Sequence, residues 1–306
     1  MRTLLALAAV LAVAAALALS LGPTGWRAPW AMSDVVLALR APRVALAAVV
    51  GASLALAGVA MQAVVRNVLA DPYVLGMSGG ATAGAVAALA NQLPAGPGAA
   101  AGAAAAVALV RALCRGAFSP ARLVLTGVTV GAIAASAAGV MLVLSPAQRL
   151  LRGAQSWLFG GVSIAPWSII AAAAALVAGA AIWSGRRAPA IDRLSLGDDV
   201  ATSLGTDVGR LRRALLAGAV ALTASAVALS GLIGFVGLIA PHAARTLVGA
   251  GHRLLIPAAV LVGAALLVVT DAVARTAFAP REVPVGLVTA LIGGPWFLVL
   301  ARRELA

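Results

Sequence analysis

RAPRVALAAVVGASLALAGVAMQAVVRNVLADPYVLGMSGGATAGA, residues 40–85, sets two arginines around a proline and then runs apolar and Gly/Ala-rich for about one membrane thickness. The run stops at a polar knot, Arg66, Asn67, Asp71 and Pro72, and resumes with Gly76, Gly79, Gly80 and Gly84. In hydrocarbon every backbone N–H and C=O needs a partner within the chain. The apolar parts must therefore be helical, and the knot must lie outside the bilayer or be packed in protein. Two helices hinged on a polar turn, with glycines for close approach, suit the lining of a membrane transport protein.

The rest of the chain has the same character. Its 306 residues are 63% hydrophobic and 10% charged, with a mean hydropathy of +1.07. No soluble core of this length buries so much apolar surface, so the chain is an all-α polytopic membrane protein. The net charge is +13, and all 22 basic residues are arginines. They stand singly or in pairs between apolar runs, without a basic face or stacking aromatics. That pattern reads as membrane-flanking anchors in a lipid bilayer, with no nucleic acid as partner. Cys114 is the one cysteine, which excludes an internal disulfide and any multi-cysteine metal site. A P-loop needs a lysine on the nucleotide phosphates, so a chain without lysine leaves ATP-driven work to a partner.

At about 20 residues per crossing the sequence divides into about ten apolar segments, roughly 4–21, 43–64, 73–91, 97–115, 121–144, 165–184, 212–230, 232–248, 254–276 and 283–301. The first, after Arg2, also fits a signal peptide with a cleavage site near Ser20. An uncleaved first helix is preferred, because its removal leaves an odd number of crossings. With the N-terminus inside, 15 arginines fall on the cytoplasmic side: Arg2, Arg66, Arg111, Arg115, Arg122, Arg186, Arg187, Arg193, Arg210, Arg212, Arg213, Arg245, Arg253, Arg302 and Arg303. Arg27, Arg40, Arg43, Arg149, Arg152, Arg275 and Arg281 fall outside. This is the positive-inside bias, and it makes both termini cytoplasmic.

Two loops stand out. The cytoplasmic stretch 186–211 is the longest polar one and holds four of the nine acidic residues. Asp192 or Ser195 there suits the start of one short helix, and Gly205 with Thr206 and Asp207 suits its end and the start of another. The outer stretch 145–166, with Trp157, Gly160 and Gly161 and with Trp167 just beyond, suits an interfacial segment with aromatic anchors. A weak internal echo links SLALAGVAMQ (53–62) to SAVALSGLIG (225–234). Each precedes a proline- and arginine-bearing break, RNVLADP or APHAAR, as in duplicated transporters.

Chemistry-bearing groups are few. Asp271, the only acid inside an apolar segment, lies four residues before Arg275 on the same helix face. That spacing favours a local ion pair closing a helix end over a proton relay. Gly-Met-Ser-Gly (76–79) superficially matches the serine loop of an intramembrane protease, with His242 after Pro241 as its base. Against that, Ser78 serves close helix packing and His242 caps a break, with Arg245 on the same face. Gln62 suits an interhelical hydrogen bond. The glycine positions place Gly76, Ser78, Gly79, Gly80, Gly127, Gly131 and Ala135 near a transport path. No spacing suggests a metal site.

RAPR (40–43), AVVGASLALAGVAMQAVVRNVLADPYVLGMSGGA (48–81), SLGDDVATSLG (195–205), SGLIGFVGLIAPHAAR (230–245), HRLLIPAAVLVGA (252–264), TDAVAR (270–275) and REVPVGLVTALIGGPWF (281–297) together resemble the FecCD-type permeases. These are membrane subunits of ABC importers for iron–siderophore, haem and cobalamin. The resemblance covers essentially the whole chain and treats 1–306 as one transmembrane domain of type II importer architecture. It implies a homodimer in a bacterial cytoplasmic (inner) membrane, joined by two ABC ATPase subunits and an extracytoplasmic substrate-binding protein. ATP and Mg are then bound by the ATPases, with no cofactor on this chain. Within the cytoplasmic loop, about 186–211, the resemblance assigns the ATPase contact to Leu204, Gly205, Thr206 and Asp207. The arginines that receive the binding protein fall on Arg40, Arg43 and Arg275, already placed outside. One departure is Val68, where the family has proline in RNPLADP. The implied function is the permease subunit of an importer for a bulky metal chelate, a ferric siderophore before haem or cobalamin.

Overall fold

The computed structural model describes residues 1–22, 25–26, 34–114, 116, 118–145, 148–279 and 281–305. Arg27 and Arg115 of the topology count lie outside these residues, as do the side chains of Arg149 and Arg303. Helices are α1 (Arg2–Ser20), α2 (Asp34–Val65), α3 (Met77–Ala90), α4 (Ala95–Leu113), α5 (Pro120–Leu144), α6 (Gln148–Leu158) and α7 (Trp167–Arg186). They continue as α8 (Ala188–Ser195), α9 (Asp198–Ser203), α10 (Val208–Ser230), α11 (Val236–Val248), α12 (His252–Thr276) and α13 (Val285–Leu305). A two-residue β-ladder, Leu21–Gly22 with Gly25–Trp26, follows α1.

Among the described residues, 7 helices are long and apolar enough to cross a membrane: α1, α2, α4, α5, α7, α10 and α12. The remaining three apolar segments are α3 and α13, shorter apolar helices, and α11. α2 is the spine. The apolar window of α2 is 83% buried against 17% for that of α1, because α12, α10, α11 and α7 all pack around α2. Small residues allow this. On α2, a Cβ at Gly51 would collide with the Gly263 carbonyl of α12, and one at Gly58 with the Gly237 carbonyl of α11. Backbones this close gain dispersion and weak C–H···O contacts where no hydrophobic drive exists between helices.

The two chain breaks differ from the expected echo. Residues 53–62 stay inside one continuous helix, whereas 225–234 run off the end of α10 into a non-helical turn. Pro241 makes no break, lying buried inside α11. Only its bond to the Gly237 carbonyl is lost, and that oxygen faces Gly58. The real break is Gly231–Phe235, where Gly231 (φ 68) and Phe235 (φ 67) turn left-handed. A Cβ at Gly231 would strike the Trp157 carbonyl. The outer stretch 145–166 is tied there: Gly161 N–H donates to the Ser230 carbonyl (2.7 Å) and Gly286 N–H to the Gly160 carbonyl (3.2 Å). Trp157 therefore packs on the core, its indole N–H buried, and only the exposed Trp167 is left as an interfacial anchor.

Candidate functional site

α2 ends where Arg66 turns left-handed (φ 56) and the knot folds on its own side chains. Asn67 Oδ1 accepts the Leu69 N–H (2.8 Å), and Asp71 Oδ1 accepts the Tyr73 N–H (2.9 Å) as N-cap of a 3-10 turn, Pro72–Leu75. Burial pushes the Asp71 carboxyl up to about 6, against the pull of that Tyr73 N–H. Pro72 is buried against Gly237. Side-chain caps thus hold the knot around Val68, the position where proline was expected.

The cytoplasmic loop forms two short helices, α8 and α9, split by Gly197 (φ 117). Their starts differ from expectation. α8 follows α7 through Arg187 and Pro189, so Asp192 lies mid-helix and Ser195 at its end. Gly205 (φ 78) ends α9, and Asp207 caps the long α10 by accepting the Arg210 N–H at 2.9 Å. Leu204 and Gly205 are exposed, while Thr206 is buried.

This loop is fastened to three helices. Asp198 accepts Arg212 Nη2 of α10 at 2.7 Å and stands 3.9 Å from Arg66 Nη1 at the end of α2. Arg212 also stacks over Phe118, 3.6 Å from its ring centre. Asp192 Oδ1 accepts the His252 N–H at 3.0 Å and meets His252 Nδ1 at 2.6 Å, capping α12. Close by, Arg245 Nη2 donates to Gln62 Oε1 (3.0 Å), joining α11 to α2. Sequence reading missed Asp192 as a tie, Asp198, Arg212 and His252. Its one signal was the crowding of acids into a single cytoplasmic loop.

At the outer end the arginines turn inward. Asp271 Oδ1 accepts Arg43 Nε (3.2 Å) and Nη2 (3.1 Å), and Arg43 Nη1 donates to Glu282 Oε2 (2.9 Å). Arg275 Nε lies 3.0 Å from Asp271 Oδ2, while its N–H bond runs to the Asp271 carbonyl (3.4 Å). The pair is therefore ionic more than hydrogen-bonded. Arg40 Nη1 donates to the Leu19 and Ser20 carbonyls, and Arg275 to those of Ala18 and Leu21. These carbonyls lie at the C-terminus of α1, where no intrahelical donor reaches them. Two expectations change here. The Asp271–Arg275 pair is part of a network across α1, α2, α12 and the Glu282 turn. Arg40 and Arg275 are buried and engaged, and only Arg43 and Glu282 reach the surface.

The expected path glycines are mostly seams between helices. Cβ atoms at Gly76 and Gly79 would meet Gly127 and Gly131 of α5, and one at Gly80 would meet Gly102 of α4. Gly76, Gly79, Gly80 and Gly127 are buried, Gly131 and Ser78 half-buried, and Ala135 exposed. Ser78 and His242 form no nucleophile–base pair. Ser78 opens α3, its carbonyl taking the Thr82 hydroxyl (2.8 Å), while the His242 ring packs edge-on against Trp296, centroids 5.1 Å apart. No group of three or more His, Cys, Asp or Glu among the described residues is placed to hold a metal.

A family model described as the FecCD transport family matches residues 4–303. A hemin transport system permease of Yersinia pestis is 40% identical, over 90% of this chain and 85% of that protein. A cobalamin import system permease of Halobacterium salinarum is 41% identical (92% and 76% covered), and a ferric dicitrate transport system permease of Escherichia coli 38% identical (92% and 89%). An inward-facing metal-chelate type ABC transporter superposes with a TM-score of 0.89 at 30% identity, covering 99% of both chains.

Proposed function

The chain belongs to the FecCD transport family, and from that membership we propose that it is the permease subunit of an ATP-driven importer for a bulky metal chelate, a ferric siderophore. It is a multi-pass membrane protein and a transport subunit. Its working form is a homodimer in a bacterial cytoplasmic membrane, with two ATPases on the cytoplasmic face and a binding protein outside. The observation that carries the mechanism is the three-way fastening of the α8–α9 loop. An ATPase pressing on Leu204–Asp207 moves α9 and α8, and with them α10 through Arg212, α2 through Arg66 and α12 through His252. α12, a 25-residue rod roughly 37 Å long, carries that movement to Asp271 and Arg275 at the outer end. α2 moves with it, since Gly51 seats against Gly263 and Arg43 binds Asp271. The protein shifts a pathway between outward and inward openings and forms no bond with its cargo. Outside, docking centres on Arg43 and Glu282, the exposed edge of the network.

Hemin and cobalamin, named for two relatives, are the rival cargoes. The test is uptake into proteoliposomes holding this chain and its ATPase, with binding protein loaded in turn with ferric siderophore, haem or cobalamin. ATP-dependent accumulation of the siderophore alone supports the assignment. Accumulation of another ligand moves the cargo, and failure to assemble any ATPase rejects the subunit role.

A further inference from the structure

On the cytoplasmic half α7 and α10 part over α2 and leave a groove between them. An apolar groove of about 400 Å³ runs there, floored by Leu56 and Ala60 and walled by Leu176, Gly179, Gly218 and Leu222. A Cβ at Gly179 or Gly218 would meet nothing within 4 Å, so these glycines hold open space, unlike the glycines of the α2–α12 seam. At Trp183 and Ala214 the groove meets a second cavity, of about 530 Å³, which adds charged groups to an apolar lining. Arg187, Arg193 and Arg210 line it, with Asp207 as the one acid. Arg193 spends a donor on the Leu204 carbonyl (3.2 Å), and Arg210 stands 3.7 Å from Asp207, which leaves most guanidinium donors uncommitted. Thr206 lines the same cavity, 8% exposed, its hydroxyl buried and without a partner.

An apolar slot at membrane depth, capped at the cytoplasmic interface by a tryptophan, three arginines and an unpaired hydroxyl, has the shape and charge of a phospholipid. We propose that the α7–α10 cleft binds one anionic glycerophospholipid, an acyl chain in the groove and the phosphate among Arg187, Arg193 and Arg210. Guanidinium forks match phosphate oxygens, and basic pockets between helices on the cytoplasmic side select anionic headgroups. Trp183 sits at headgroup level, as interfacial aromatics do. Because Thr206 closes the cavity beside Gly205, an occupied site braces the segment proposed to meet the ATPase. The lipid site itself does not depend on that proposal or on the cargo.

The test is native mass spectrometry of the assembled transporter after exchange into vesicles of equal phosphatidylglycerol and phosphatidylcholine. The wild type should retain phosphatidylglycerol over phosphatidylcholine, and Arg187→Gln/Arg193→Gln/Arg210→Gln should lose it by about fivefold per arginine. Gly179→Leu/Gly218→Leu, which fills the groove and leaves the arginines in place, should also lose the lipid. If the triple variant does not assemble, Arg187→Gln alone gives the same reading in smaller measure. Equal retention of both lipids, or an equal loss in Arg253→Gln at the exposed start of α12, would overturn the proposal. So would groove variants that keep the lipid while inorganic phosphate displaces it, which is the behaviour of a free-anion site.

Discussion

Both ends of α12 are held by carboxylates from other parts of the chain or by its own, yet the two ends are built for different tasks. Outside, Asp271 and Arg275 are 1% and 2% exposed, and Arg43 closes over them. Inside, Asp192 at the start of α12 is 44% exposed and Asp198, which ties the same loop to α10 and α2, is 39% exposed, each paired with one buried partner. Charges removed from water hold only while every partner stays, since breaking a buried pair strands an uncompensated ion. Half-wet pairs contribute little stability and exchange partners with water cheaply. The outer end is thus a fixed clamp. The inner end is a joint that can follow a moving ATPase.

Removing the outer carboxylate is the most severe way to break this contrast. Asp271→Ala leaves Arg275 buried without its counter-ion and Arg43 with Glu282 alone, and should destabilise the protein by about 3–5 kcal/mol. Thermal unfolding in detergent reads this directly. A melting temperature within a degree or two of wild type would mean the outer cluster is as wet and loose as the inner one.

Next comes the seam that transmits between the ends. Gly51→Ala drives a methyl into the Gly263 carbonyl and should cost about 1–3 kcal/mol, as overpacked cores do. Gly218→Ala, on the open groove, should change stability by about 0.5 kcal/mol or less. Equal effects on melting temperature would remove the distinction between a stiff α2–α12 pair and the open α7–α10 cleft.

The sequence showed the apolar segments, the knot after Val65 and the cytoplasmic loop, because span length and the polar breaks are local signals. It did not show what the charges do. Arg43 and Asp271 are 228 residues apart, and Asp192 and His252 are 60 apart, so their pairing appears only after the helices assemble. An arginine counted outside by the positive-inside rule can still be turned inward, as Arg40 and Arg275 are, because the rule places a residue on a side and says nothing of its direction. The glycines are ambiguous for a related reason. Close approach to another helix and room for a cargo both ask for a missing Cβ, and only the neighbour distinguishes Gly79 from Gly179. Pro241 looked like a break because proline removes a helical hydrogen bond, yet α11 runs on through it.

Gly205→Arg acts at the joint. Gly205 is left-handed, and a Cβ there meets nothing within 4 Å, so the substitution strains the backbone by about 1–2 kcal/mol without a clash at the Cβ. The variant should insert at normal abundance while the ATPase no longer docks productively. ATP-driven uptake at the wild-type rate would remove residues 204–207 from the contact.

The smallest stability effect, and the sharpest test of the joint, is Asp192→Asn. Asparagine keeps an oxygen for the His252 N–H and so keeps the cap of α12, while the charge facing His252 is lost. A half-exposed pair of this kind is worth about 0–1 kcal/mol, so melting temperature should scarcely move. Transport should respond more strongly, because the loop then holds α12 by a neutral bond in place of a charged one. Cargo moved per ATP hydrolysed should fall while hydrolysis continues, and Asp198→Asn should add to that loss through the separate ties to α10 and α2. An unchanged ratio in the double variant would mean that the loop steers the helices by packing alone, and that the wet carboxylates at the inner end are ordinary surface charge.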